Sequence, residues 1–182
     1  MSGHNKWSKI KHKKAAADSV KSRLFSKYSQ LIAMESIKVG GDISSPSLAS
    51  IIERAKRDSM PKDNIDRAVE KGKGGNTTKL EEVIFETYGP GGTAILITTI
   101  TDNNNRTAPE IKHLLHKNGY EAASPGSAAW AFSKIDGVYR PNNPTDLSDT
   151  DGEKLAELVE ALENHPDVQD VFTTADTNSE EN

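Results

Sequence analysis

The chain has no cysteine and few aromatics, with two tryptophans, four tyrosines and four phenylalanines in 182 residues. Without thiols there can be no disulfide framework, no thiolate metal site and no cysteine nucleophile. No apolar run approaches the roughly 18 residues a membrane helix needs. The basic start lacks the apolar core of a secretory signal, and Ser2 stands where myristoylation requires glycine. A mitochondrial presequence is disfavoured because the basic stretch is lysine-rich and runs into a helical pattern. A cytoplasmic protein without membrane attachment is therefore expected.

Acid is scarce where base is dense. From Lys6 to Lys27 there are eight Lys/Arg and a single acid, Asp18, although the whole chain carries a net charge of -4. Residues 1–80 hold 17 Lys/Arg and 8 Asp/Glu, a net +9, whereas residues 81–182 hold 6 and 19, a net -13. Such asymmetry predicts two modules, the first suited to a polyanion and the second limiting nonspecific adhesion.

The apolar periodicity changes with the charge. Leu24, Phe25, Tyr28, Leu31 and Ile32 recur at helical spacing before Gly40-Gly41. Leu48, Ile51, Ile52 and Ala55 form a second stripe after Ser45-Pro46, with proline in the first turn, where its missing N–H costs nothing. Ile65, Ala68 and Val69 form a third, begun at Ser59-Met60-Pro61 and stopped at Lys71-Gly72. Short helices of this kind share a core only by packing together.

Beyond Leu80 the runs Glu82–Tyr88 and Thr93–Thr101 read as strands joined by Gly89-Pro90-Gly91-Gly92. Thr107 and Glu110 then suggest a capping box for a helix buried through Ile111, Leu114 and Leu115. Ser127–Lys134 reads as a third strand and the Pro/Asn/Asp-rich stretch after it as a loop. A helix over Asp149–Asn164 and a strand over Val168–Thr173 complete the pattern. The expected fold class is α+β. A basic arm (1–21) leads into a three-helix domain (22–78), which is followed by a helix-backed, mostly antiparallel sheet domain (79–175, β-β-α-β-α-β) and a disordered tail (176–182).

Most chemical motifs dissolve on inspection. The glycine-rich YGPGGTAI lacks a P-loop ending and lies between strands. His113 and His116 share a helix face, but the remaining histidines at 4, 12 and 165 offer no obvious third ligand. TDNNNRT fits a polar binding loop or a turn into a capped helix equally well. No nucleophile–base set or carboxylate pair stands out, so neither an enzyme, a metal, a cofactor nor a small-molecule substrate is expected.

The arm is a better candidate. Lys6, Lys9, Lys11, Lys13, Lys14, Lys21, Arg23 and Lys27 can neutralise phosphates, while Trp7, His4 and His12 offer planar groups for stacking. Arg54, Lys56 and Arg57 extend the basic surface if they share its face. A solvated basic tail is the bland alternative.

The stretches GHNKWSKIKHKKAAADSVKSRLFSK, SMPKDNIDRAVEKGKGG, YGPGGTAILITTITDNNNRT, GSAAWAFSK and EALENHPDVQDVFT resemble, in order and over nearly the whole chain, the YebC/PmpR family, which includes the mitochondrial translational activator of cytochrome c oxidase. The resemblance implies a three-helix domain and an α+β domain, into which longer members insert a third domain. Here that insertion is expected to be missing between about Tyr139 and Pro144. It also implies a cytoplasmic regulator of gene expression. The family label is a DNA-binding transcriptional regulator, and the alternative is a ribosome-associated translation factor on rRNA or tRNA. An adaptor whose acidic domain holds a basic protein is a third expectation, to be told apart by a pull-down that survives nuclease.

Overall fold

A computed structural model describes residues 18–73 and 79–176. The chain divides into two compact units, a helical one of Ala17–Glu82 with Ile100–Asn104, and a sheet unit that includes Val83–Thr99 and Asn105–Asn182. The arm before Asp18 and the tail after Asp176 lie outside the described residues.

The helical unit is built from α1 (Asp18–Lys38), α2 (Pro46–Arg57) and α3 (Lys62–Lys73). Tyr28 and Ile32 of α1 meet Leu48, Ile52 and Ala55 of α2 and Ile65, Ala68 and Val69 of α3 in one core. The endings follow from backbone chemistry. At the close of α1, Gly40 takes a left-handed φ of 63° and Gly41 N–H reaches back to Ser36 O at 2.8 Å. α2 closes the same way through Ser59 (φ 67°), with Met60 N–H donating to Ala55 O at 2.9 Å and the Met60 side chain buried. Both are the paired reverse bonds that satisfy orphan carbonyls at a helix end.

Gly72 is no stop signal. It lies inside α3, and a methyl group there would come within 2.2 Å of Ser36 Oγ. The same hydroxyl donates to Val69 O at 2.8 Å, so the glycine permits α1 and α3 to approach closely enough for that bond.

The sheet unit has a four-stranded sheet in the order β3-β1-β2-β6, where β1 is Glu81–Tyr88, β2 is Ala94–Thr101, β3 is Ala122–Ala123 and β6 is Val168–Thr173. β3 pairs antiparallel with β1, and β6 antiparallel with β2. Every residue of β2 is buried. Ile95 and Ile97 point into the cluster formed with helices α4 (Asn104–Lys117) and α5 (Asp149–Glu163), while Ala94 and Leu96 meet Ala128, Ala131 and Phe132 on the opposite face. A central strand covered on both faces accounts for the continuous apolar run in its sequence.

Three local expectations require correction. Ser127–Lys134 is not one strand. It begins as a turn with a 3-10 segment at Ala129–Ala131, and only Phe132–Ile135 forms a strand, β4. β4 pairs with β5 (Val138–Pro141), inside the stretch expected to be loop, across Asp136-Gly137, whose φ values of 51° and 81° suit a tight hairpin turn. The third strand of the main sheet is the short Ala122–Ala123. Thr107 does not cap a helix either, since α4 starts three residues earlier and buries Thr107, whose hydroxyl donates to Asp167 Oδ2 at 2.6 Å.

Candidate nucleic-acid interface

α1 and α3 enclose a groove of about 430 Å³ lined by Ser22, Phe25, Ser26 and Ser29 on one side and Asn64, Arg67, Ala68 and Lys71 on the other. Helical spacing produces this lining. Positions 22, 26 and 29 follow one face of α1, and 64, 67, 68 and 71 follow one face of α3. Ala68 belongs also to the core, which sets the groove directly beside the apolar stripe. Arg67 is held on its own helix, its Nε donating to Asp63 O at 3.2 Å and its Nη2 to the Asn64 side chain. Lys71 is exposed. Three hydroxyls, one amide and two cations facing one trough form a donor-rich surface for an oxyanion chain.

The expected site residues fall in three places. His4, Lys6, Trp7, Lys9, Lys11, His12, Lys13 and Lys14 lie outside the described residues. Lys21, Arg23 and Lys27 lie on the first turns of α1, with Lys21 exposed and the other two half-buried. Arg54, Lys56 and Arg57 occupy the last turns of α2 and are exposed. Lys56 pairs with Glu53 at 2.8 Å, and that contact holds the Glu53 carboxyl below its usual range. Arg54 sits by the Tyr28 hydroxyl, which donates to Asp58 Oδ2 at 2.5 Å. Burial, reinforced by the Asp58 carboxylate, pushes the Tyr28 hydroxyl up, and Arg54 partly opposes this. Sequence reasoning left out Arg67 and Lys71. The legible signal was their i, i+4 spacing on the helix flank next to Ala68.

Among the described residues, Glu110, His165 and Asp167 bring ligand atoms within 4.8 Å of one another. Arg106 already supplies a cation there, with Nη2 2.7 Å from Asp167 Oδ2 and Nη1 3.2 Å from Glu110 Oε2. His165 Nδ1 accepts from Asp167 N–H at 3.2 Å, which leaves Nε2 as the donor to Glu110 Oε2 at 3.0 Å. The donor set is engaged in tying α4 to the β6 end, and it does not fit an additional ion well. His116 is directed elsewhere, with Nδ1 2.6 Å from Glu121 Oε1.

Residues 5–75 match the TACO1/YebC protein N-terminal domain, and residues 80–138 match the TACO1/YebC second and third domain. A "Probable transcriptional regulatory protein" of Fervidobacterium nodosum is 34% identical over 242 residues, covering 100% of this chain and 96% of that protein. A protein of the same description from Thermotoga maritima is 46% identical over 136 residues, covering 74% of this chain and 54% of that one. The crystal structure of a conserved hypothetical protein from Aquifex aeolicus superposes with a TM-score of 0.81 at 26% identity, over 92% of this chain and 95% of that one. The domain match stops at Val138, inside the β4–β5 hairpin, whose tip residues Ile135 and Val138 are exposed. At 182 residues the chain is a shortened form relative to the 242-residue alignment.

Proposed function

The chain belongs to the TACO1/YebC family, and from that premise we propose that it is a non-enzymatic, cytoplasmic, nucleic-acid-binding regulator of gene expression that grips phosphate backbone with its basic N-terminal half. The observation that carries this reading is the α1–α3 groove, in which Arg67 and Lys71 face the hydroxyls of Ser22, Ser26 and Ser29. The lysine-rich arm joins the chain at the start of α1, four residues before Ser22. Lys6, Lys9, Lys11, Lys13 and Lys14 neutralise phosphates, Trp7, His4 and His12 stack, and Lys21, Arg23, Lys27, Arg54, Lys56 and Arg57 continue the basic surface. The relatives are described as probable transcriptional regulatory proteins, which supports transcription as the regulated step, and duplex DNA is the target we put first.

A second reading, a translation factor on ribosomal or transfer RNA, is favoured by the surface of α3. Its charges pair along the helix, Lys62 with Asp66 at 3.0 Å and Lys73 with Glu70 at 2.9 Å, and Arg67 is tied to its own helix. Such a surface offers few free side chains to base edges in a major groove, and backbone contact by shape suits RNA.

Anisotropy titrations of labelled duplex DNA and structured RNA across 50 to 200 mM salt test both. With six or more phosphates engaged, affinity falls by about 10³-fold or more over that range. Replacing the five arm lysines by alanine flattens the slope on DNA by about 4 to 5, and Arg67→Ala with Lys71→Ala flattens it by about 2. An unaltered slope in both variants removes the basic half from the account. Arm-dependent sedimentation with ribosomes would select the RNA target, and its absence at low salt the DNA target.

A further inference from the structure

Trp130 is 67% exposed, yet its polar edge is satisfied inside the protein. Its Nε1 donates to Ser127 O at 2.8 Å and to Tyr88 Oη at 3.1 Å, and Tyr88 Oη donates to the same carbonyl at 2.5 Å. The loop beneath is fixed from across the sheet, because Glu86 accepts backbone N–H bonds from Gly126, Ala128 and Ala129 at 2.6, 2.7 and 2.8 Å. Burial by itself would raise the Glu86 pKa, but the three donors outweigh it and hold the carboxyl below its usual range. An indole that is locked at its edge and two-thirds exposed is a preorganised stacking surface.

The neighbouring groups decide what it stacks. Asn142 Nδ2 donates to Trp130 O at 3.1 Å, Ser133 Oγ donates to Asn142 Oδ1 at 2.6 Å, and Ser133 lies opposite Arg140 in the β4–β5 register. Arg140 is exposed and has no ion-pair partner among the described residues. Of the nearby carboxylates, Glu86 is buried and held by backbone donors, and the exposed Glu121, opposite Tyr88 in the β1–β3 register, is paired with His116 at 2.6 Å. A guanidinium or ammonium ligand would meet Arg140 as a like charge. A nucleotide brings a π-face for Trp130 and a phosphate for Arg140.

We propose that the sheet unit carries a second nucleic-acid contact: a seat for one unpaired nucleobase on the Trp130 indole, with the adjoining phosphate on Arg140. Ser133 is three residues along the chain from Trp130, at most about 11 Å, and Arg140 lies one strand across from Ser133, so both groups belong to the same hairpin. The inference rests on the nucleic-acid reading above and adds to it a preference for unpaired strands, supplied by the acidic half of the chain.

The full chain has two tryptophans, so Trp7→Phe leaves Trp130 as the only indole emitter. Titrating this variant with a single-stranded oligoadenylate at 50 mM salt, the expected result is saturable quenching of Trp130 emission that tracks anisotropy of the labelled oligonucleotide. Trp130→Ala should weaken binding about 5- to 150-fold, Trp130→Phe should recover part of that loss, and Arg140→Ala should flatten the single-strand salt slope by about 0.7. Binding seen by anisotropy with Trp130 emission unmoved overturns the seat while leaving the nucleic-acid reading intact. Absence of any oligonucleotide or duplex binding by the full chain overturns both. Quenching by an arginine-rich peptide and not by oligoadenylate overturns it in favour of a protein partner. The quenching experiment leaves Trp130 in place, so it stands even if Trp130→Ala fails to fold.

Discussion

The two units use charge in opposite ways. In the helical unit Lys56–Glu53, Lys62–Asp66 and Lys73–Glu70 join neighbours on one helix at the surface. In the sheet unit exposed neighbours also pair, as in Arg106–Glu110, but several charged and polar contacts span long stretches of chain and are partly or wholly buried. Glu86 holds backbone 40 to 43 residues away, Arg106 reaches Asp167, and Thr87 Oγ1 donates to Glu121 O at 2.7 Å. Exposed pairs within a helix contribute little to stability and are screened by salt, whereas a buried carboxylate with three donors is costly to disturb. The basic unit can therefore lend its cations to a ligand without losing its fold, while in the acidic unit, Arg140 apart, the charges named here are part of the architecture.

Apolar packing should not distinguish the units, and it sets the largest effect. Ile32 in the helical core and Leu155 in the sheet core are both 0% exposed. Each truncation, Ile32→Ala or Leu155→Ala, is expected to cost about 2–5 kcal/mol, read as a lower urea midpoint. Hydrogen exchange then sharpens the comparison. Ile32→Ala should speed exchange mainly in α1–α3, and Leu155→Ala mainly in the sheet and α5. Equal acceleration everywhere in both variants would mean that the units unfold as one.

Glu86→Gln is the next largest, about 1.5–3 kcal/mol at neutral pH, since bonds to an ionised acceptor are lost or weakened. The sign with pH follows from the depressed folded-state pKa. The carboxylate contributes stability above its unfolded pKa of about 4.3, and that contribution disappears as pH falls through the lower folded value. The gap in urea midpoint between wild type and Glu86→Gln should be full at pH 7 and shrink towards pH 3. A gap that persists at pH 3 would show that shape, not charge, makes Glu86 necessary.

The same contrast explains what could be read in advance. The helices of the first unit were legible because each carries its own stripe, as in Leu48, Ile52 and Ala55, and ends on its own local signal. β2 and α5 were legible for the same reason. The stretch Ser127–Lys134 was not, because an apolar run containing Trp130 and Phe132 resembles a strand, and what bends its first half is Glu86, about 40 residues upstream. The Asp136-Gly137 turn was written in the sequence, but its flanking strands are only four residues each and lie beside proline and asparagine. Thr107 satisfied a capping rule, yet its hydroxyl answers to Asp167, sixty residues on. At the candidate interface the arm was legible as charge. The groove was not, since it needs α1 and α3 side by side, and that depends on a glycine at 72 opposite Ser36.

The smallest predicted effect tests the comparison most directly. Lys56 is exposed and its pair with Glu53 lies three residues away on the same helix, where water and salt compete with it. Lys56→Ala should therefore leave the urea midpoint where it is. If Lys56 belongs to the phosphate-binding surface, the same change should flatten the salt slope on duplex DNA by about 0.9, because one fewer counterion is released. A shifted midpoint with an unchanged slope would reverse the assignment, making this surface lysine a structural group. The division between a unit that lends its charge and a unit that is built on it would then fail at α2 first, and Arg54, beside Tyr28 and Asp58, would be the next cation to test in the same way.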